Sequence, residues 1–308
     1  MTSFAPVRTG KRTASIAGKA LAYVVMGLFA LLTIYPLLWL LLSSFKSTNE
    51  FRMNMLGLPI EWTVDNYVGA WKIGEFDRLI GNSILYTVGS TAGVLFFSLM
   101  AGFAFAKIKS KATAPIYGSF ILGILLTVQS LMVPLFLQVT ALDRLLEDLF
   151  RLLGLFSGEA GGFRLFHDTR FGVLLIYIGS ALPVGIYLST GYIKGIPNAI
   201  IEAAQVDGAG YFRIFRSVIL KMSAPIAMTL AILNIPTFWN EFALINILVS
   251  DTALKSLPLG IYKFTGALSS DYGKQFAALV IGMAPMLFFY VAFRKQITAG
   301  VAAGALKG

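Results

Sequence analysis

The sequence predicts an all-α integral membrane protein with six transmembrane helices, and three observations predict it. The 308 residues are 57% hydrophobic and only 13% charged, and the mean hydropathy is +0.76; a soluble domain carries about a quarter charged residues. The apolar residues form long charge-free runs instead of alternating, which excludes a membrane β-barrel. Those runs approach or exceed the roughly 20 residues a helix needs to cross about 30 Å of hydrocarbon. The same composition excludes disorder. The absence of cysteine excludes a disulfide-stapled fold and thiolate chemistry.

The first run, Ala20 to Phe45, follows a basic N-terminal tail, residues 1–20. It exceeds the about 7–15 residues of a signal-peptide core, and no small-residue cleavage site follows closely, so it reads as an uncleaved first span. Pro36 predicts a kink, which membrane helices tolerate. Lys46 to Arg78 lies between spans, with Trp62, Tyr67 and Trp71 suited to an interfacial layer. The second span, Leu79 to Ala106, holds a GxxxG at Gly89 and Gly93, which reads as ordinary close packing within the chain.

The third run is Ala112 to Leu142, with its helix expected to end near Pro134. Leu142 to Phe156 then has leucines at helical spacing with Asp143, Arg144, Glu147, Asp148 and Arg151 opposite. It reads as a separate amphipathic helix lying on the membrane or on a partner. A glycine-rich turn, Gly158 to Gly162, follows, and His167 reads as a solvated loop histidine. The fourth span is Phe171 to Ile193. The fifth is Met222 to Asn240, continued by Phe242 to Ser250 after Glu241. The sixth is Gln275 to Phe293. Residues 21–293 thus form one six-helix unit, and residues 294–308 a C-terminal tail.

Charge sets the orientation. With the N-terminus inside, the inner segments hold fourteen basic residues, among them Lys107, Lys109, Lys111, Lys194, Arg213, Arg216 and Lys221, against the two acids Glu202 and Asp207. This positive-inside bias makes both termini cytoplasmic. It also accounts for the net charge of +10 without nucleic acid as a partner.

The inner loop at residues 194–221 is the most informative segment. Pro197 suits a helix start, and Gly208 suits a helix end where φ is often positive. A second helix restarts near Tyr211, with Phe212, Phe215, Val218 and Ile219 on one face and Arg213, Arg216 and Ser217 on the other. Ala203 and Ala204 keep one surface small for close approach, and Glu202 offers an ion pair there.

This loop resembles the EAA loop of binding-protein-dependent ABC importer permeases. It has Glu202-Ala203-Ala204, then Gly208, then Val218-Ile219-Leu220, with Lys221 where that family usually has proline. Tyr35-Pro36-Leu37, Asn66-Tyr67, Asn82-Ser83, Val133-Pro134-Leu135, Trp239-Asn240-Glu241-Phe242, Leu257-Pro258 and the tail from Thr298 resemble the MalG-type carbohydrate-uptake permeases. The resemblance implies the MetI-like permease fold. It implies a heterodimer with a second permease, two ATPase subunits, an extracytoplasmic solute-binding protein and a sugar as solute. It implies a bacterial cytoplasmic (inner) membrane and a coupling role for Glu202, Ala203, Ala204, Asp207, Gly208, Phe212 and Leu220.

No cofactor is expected on this chain, which has no GxxxxGK[ST] phosphate loop; ATP-Mg belongs on the ATPase partners. Asn82, Gln129, Asn234, Trp239 and Asn240 either line the pathway or hydrogen-bond between helices. The alternative function is an ion-coupled secondary transporter or channel subunit. Its support is confined to Glu241, which reads instead as a helix-packing residue beside Asn240. A membrane-embedded enzyme is disfavoured by one histidine, no cysteine and no paired intramembrane carboxylates. Ser250 to Lys274 and Leu142 to Phe156 are expected to meet the solute-binding protein. The Gly- and Ala-rich tail, Thr298 to Gly308, is expected either to thread between the ATPases or to be a disordered end.

Overall fold

The computed structural model describes residues 16–108, 110–155, 158, 162–264 and 271–305, and among these every regular element is a helix. In chain order they are α1 (Ile16–Ser43), α2 (Thr48–Met53), α3 (Asp65–Gly74), α4 (Phe76–Lys107), α5 (Thr113–Gly123), α6 (Val128–Leu152), α7 (Arg170–Lys194) and α8 (Asn198–Val206). Next, α9 (Tyr211–Ile214) runs through a π-helical turn, Phe215–Ile219, into α10 (Leu220–Met222). Then come α11 (Ala224–Trp239), α12 (Ala243–Leu248), α13 (Leu257–Ile261) and α14 (Tyr272–Ala305).

Four helices, α1, α4, α7 and α14, are long and apolar enough to span a bilayer without a break. The other two spans are bent pairs, 107° between α5 and α6 and 72° between Tyr211–Met222 and α11. Counting each pair as one span gives the six expected from the sequence.

The centre of the fold is the parallel pair α4 and α7. Small residues bring their backbones together. A Cβ on Gly89 would lie 2.9 Å from Leu174 and one on Gly102 2.7 Å from Ser189, while one on Gly93 would clash with Ile178 and one on Gly185 with Ser98. The GxxxG therefore serves packing within the chain, and the close contact continues beyond it to Gly102. At the shared N-terminal end of this pair lie α2, α3, α12 and α13. At its C-terminal end, near Lys107 and Lys194, lie α8, α9 and α10.

Two readings of the third span are corrected. The helix does not end near Pro134; α6 runs through it from Val128 to Leu152. Proline removes one backbone donor, and a long membrane helix absorbs that loss. The break falls earlier, at residues 124–127, where a Cβ on Gly123 would lie 3.2 Å from Pro183 and extended Thr127 starts α6. The stretch from Leu142 is thus the end of the span and not a separate helix; Phe156 lies outside the described residues.

Its polarity also runs inward. Asp143 and Glu147 are buried, whereas Leu142, Leu145, Leu149 and Leu152 are exposed. Asp143 accepts the backbone N–H groups of Leu165, Phe166 and His167 at 2.7–3.1 Å, and Glu147 pairs with Arg151 at 2.8 Å. His167 is not simply solvated, because its Nε2 is buried and its ring meets Phe136 edge-on.

The fifth span unwinds after Trp239. Pro236 lacks a donor, and its carbonyl accepts both the backbone and side-chain N–H of Asn240 at 3.1 and 3.0 Å. The Glu241 carboxylate then restarts α12 by accepting Leu244 N–H at 2.7 Å and Ile245 N–H at 3.2 Å. In the sixth span, the 34 residues of α14 reach about 51 Å at 1.5 Å per residue. The chain past Phe293 therefore continues as helix to Ala305; residues 306–308 and the first fifteen residues lie outside the described ones.

Candidate functional site

The loop at 194–221 folds as two short helices carried beneath α4 and α7. Pro197 caps α8 with an extended backbone, one position ahead of the helix start expected from the sequence. Gly208 has φ +77°. Its N–H bonds to the Gln205 carbonyl, and Ala209 N–H bonds to the Ala204 carbonyl, both at 2.9 Å. This is a Schellman ending, in which a left-handed residue satisfies the last helical carbonyls. Ala204 and Ala209, which face each other across the turn, pack on a core of Leu99, Phe103, Ile193, Ile201, Ile214, Phe215 and Ile219.

The opposite surface is open. Glu202, Ala203, Asp207 and Gly208 are exposed, and Glu202 has no hydrogen bond or ion pair among the described residues. Ala204 and Leu220 are half-buried. Phe212 is not on the packed face; it is 72% exposed, while Ile214 is fully buried. The π turn holds the reason. Its wider winding changes which side chains face inward, so the contact set is Ile214, Phe215 and Ile219. Where Lys221 replaces the usual proline, α10 runs on to Met222. The chain bends at Ser223, and Pro225 enters the first turn of α11.

Lys107, the last residue of α4, anchors the root of this helix pair. Its Nζ donates to the Ile196 carbonyl at 2.6 Å and to Asn198 Oδ1 at 2.8 Å, with the Lys194 carbonyl at 3.5 Å. It thereby holds the C-terminal end of α7, where carbonyls lack helical partners, to the start of α8. Glu202 borders a cleft of 950 Å³ next to this anchor, with Lys107, Lys111, Lys194, Asn198 and Gln205 also on its walls. The sequence reading counted Lys107 only as an inside charge. Its place as the first of three lysines, Lys107, Lys109 and Lys111, that end the span carries no signal of this role.

The chain matches the family described as binding-protein-dependent transport system inner membrane component over residues 95–302. It belongs to that family. The permease is 31% identical over 278 residues to the probable starch degradation products transport system permease protein AmyC of Thermoanaerobacterium thermosulfurigenes, covering 90% of this chain and 93% of that one. It is 30% identical over 290 residues to the diacetylchitobiose uptake system permease protein NgcG of Streptomyces coelicolor, covering 94% and 89%. Its fold matches a chain of a bacterial ABC transporter involved in import of the polysaccharide alginate, with a TM-score of 0.74 at 22% identity, covering 96% and 99%. The permease is therefore a transport component with the MetI-like fold.

The residues expected on the pathway or in interhelical bonds are not gathered in one place. Asn82 is buried at the far end of the permease from Glu202. Its amide donates to the carbonyls of Ala253 and Lys255 at 2.8 and 3.0 Å, and Arg170 donates to its Oδ1. Asn234 is buried and donates to Leu230 in its own helix at 2.8 Å. Trp239 is buried with its indole N–H on the Gly282 carbonyl. Gln129 and Asn240 are exposed, and Asn240 joins Trp239, Met283 and Met286 around a cavity of 280 Å³. Glu241 is spent on capping α12 and on the Tyr177 hydroxyl at 2.7 Å. The helix-packing reading of that carboxylate accounts for all of these contacts.

Proposed function

We propose that this permease is one half of the translocation pathway of an ATP-driven importer for an oligosaccharide. The helix pair α8–α9 is its coupling element. The partners are a second permease, two ATPase subunits carrying ATP-Mg, and an extracytoplasmic solute-binding protein. The setting is a bacterial inner membrane with both termini cytoplasmic. One observation carries the coupling role: a rigid helix pair whose inner face is packed on the spans, whose turn is locked at Gly208, and whose outer face offers Glu202 and Ala203 unpartnered. A helix pair with internally satisfied backbone moves as a unit, so movement of a protein gripping its outer face is passed to α4 and α7.

The sugar assignment rests on relatives named for starch degradation products and diacetylchitobiose. It is supported by exposed Asn240, an amide of the kind that binds hydroxyl groups, on the wall of the cavity beside buried Trp239. Because the sequence has no phosphate loop, we assign ATP hydrolysis to the partners. With Glu241 engaged within the chain, the ion-coupled alternative has no candidate carboxylate left among those the sequence offered.

The test is Glu202→Lys. It should leave the six spans inserted, reduce co-purification of the ATPase subunits, and abolish ATP-driven uptake into vesicles. Normal ATPase association with normal uptake refutes the coupling role. Uptake that follows an imposed ion gradient without ATP refutes the importer reading.

A further inference from the structure

Residues 54–64 join α2 to α3, and with Met53 at the end of α2 they carry a group of exposed apolar side chains. Met53 is 87% exposed, Leu56 75%, Leu58 68%, Ile60 77%, Trp62 62% and Val64 63%. In water that exposure is costly, and a loop of this kind ordinarily turns such residues inward. Here the inside is occupied by something else.

The loop encloses the ammonium of Lys46, which is 0% exposed. Lys46 Nζ donates to the carbonyls of Asn54 and Gly57 at 2.7 and 2.6 Å. Trp39 Nε1 donates to the Met55 carbonyl at 3.0 Å, and Asn54 Nδ2 to the Leu58 carbonyl at 3.0 Å. Asn54 Oδ1 accepts Gly57 N–H at 2.9 Å, and Glu50 Oε1 accepts Ile60 N–H at 2.6 Å. Pro59 has no N–H to satisfy. The loop thus spends much of its backbone polarity on buried Lys46 and half-buried Trp39, Asn54 and Glu50 and turns its apolar side chains outward. Water demands the opposite, whereas hydrocarbon requires this arrangement, because unpaired backbone groups there cost several kcal/mol.

Depth agrees. Trp39 lies four residues before the end of α1, about 6 Å inside it at 1.5 Å per residue. The Trp39 ring also meets Phe276, four residues inside the start of α14, at 5.4 Å. The Met55 carbonyl bonded to Trp39 therefore sits about one helical turn below the ends of both spans. The surface of α1 beside it, Leu37, Leu38 and Leu41, is exposed and apolar, so the loop continues a span surface. Glu61 is the charged side chain of the segment.

We propose that residues 53–64 form a wedge immersed in the bilayer leaflet at the C-terminal end of α1, the outer leaflet in the orientation proposed above. Lys46 is the internal donor that lets the loop backbone leave water. The partner is phospholipid, at the boundary between headgroups and acyl chains, where amphipathic elements bury by about 5–10 Å. This inference needs only a membrane-spanning chain, so its failure leaves the coupling role of α8–α9 untouched.

The chain has no cysteine, so Leu56→Cys and Ile60→Cys, each labelled with a nitrobenzoxadiazole dye, report on the wedge alone. The control is Asp251→Cys, exposed in the loop after α12. The full chain with its co-purifying subunits is reconstituted in phosphatidylcholine–phosphatidylglycerol vesicles, with or without brominated acyl chains. Both wedge labels should be quenched by brominated lipid at least about threefold more than the control, and by aqueous iodide at least about threefold less, as burial at that depth requires. Iodide quenching equal to the control overturns the proposal. Protection from both quenchers also overturns it and assigns the surface to a protein partner. A Lys46→Met variant carrying the Leu56→Cys label should lose lipid quenching. If Lys46→Met does not insert, the wild-type-background labels decide alone.

Discussion

Gly208 is where the proposed coupling element is most exposed to a single change. A Cβ built there meets nothing within 4 Å, so no clash contributes to the effect of substitution. What remains is the backbone: φ is +77°, a region that costs an ordinary L-residue roughly 1–2 kcal/mol and a β-branched one more. The series Gly208→Asn, Gly208→Ala, Gly208→Val should therefore be graded, at well under 1, about 1, and about 2 kcal/mol or more. The strain is relieved by opening the Schellman turn, which releases the Ala209 N–H bond to Ala204 and the angle between α8 and α9. At about 1.4 kcal/mol per tenfold, Gly208→Ala should weaken the correctly angled state about fivefold and Gly208→Val about thirtyfold. Solute-stimulated ATP hydrolysis and uptake in proteoliposomes should fall in that order, with membrane insertion unchanged. Equal coupling across the three variants and wild type refutes the reasoning, because it would mean that the turn angle does not transmit force.

Lys107→Met removes charge-assisted bonds to Ile196 and Asn198; with a half-buried ammonium this should cost roughly 1–2 kcal/mol and lower uptake per inserted molecule without loss of the spans, as measured by transport normalised to membrane content. Gly102→Ala should destabilise more than Gly93→Ala, by about 1–3 kcal/mol. The added methyl at 102 meets the Ser189 carbonyl carbon and Thr190 nitrogen at 3.0 Å, whereas at 93 it meets the movable end of Ile178; thermal unfolding in detergent ranks the two. Burial pushes the Asp271 carboxyl up, but hydrogen bonds from Lys274 and Thr48 and the Lys274 charge outweigh it and hold the group below its ordinary 3.8. Its stabilisation of the α2–α14 junction is therefore full above that ordinary value and lost as pH falls through the lower folded one; Asp271→Asn should flatten the acid limb of a melting-temperature profile.

The membrane class, the six runs and the place of the helix–turn–helix loop at 194–221 were legible in the chain because hydrocarbon imposes one crude requirement, about 20 consecutive residues without charge, and leaves the remainder to loops. Gly208 was legible for a related reason: a left-handed turn has few residues that suit it. Which face of a span turns inward was not legible, because in lipid a leucine is as well placed outside as inside and apolarity no longer marks the core. Asp143 and Glu147 belong to the interior of the fold and the leucines around them to its surface, an arrangement that only their partners in 165–167 and at Arg151 decide. The same holds for Phe212, turned out by a π turn with no residue signature, and for the break at residues 124–127, which lies beside the close approach of Gly123 to Pro183. Asn82 and Lys107 carry their roles through backbone carbonyls about 170 and 90 residues away. A carbonyl acceptor is common to every residue type, so tertiary structure alone names the partner.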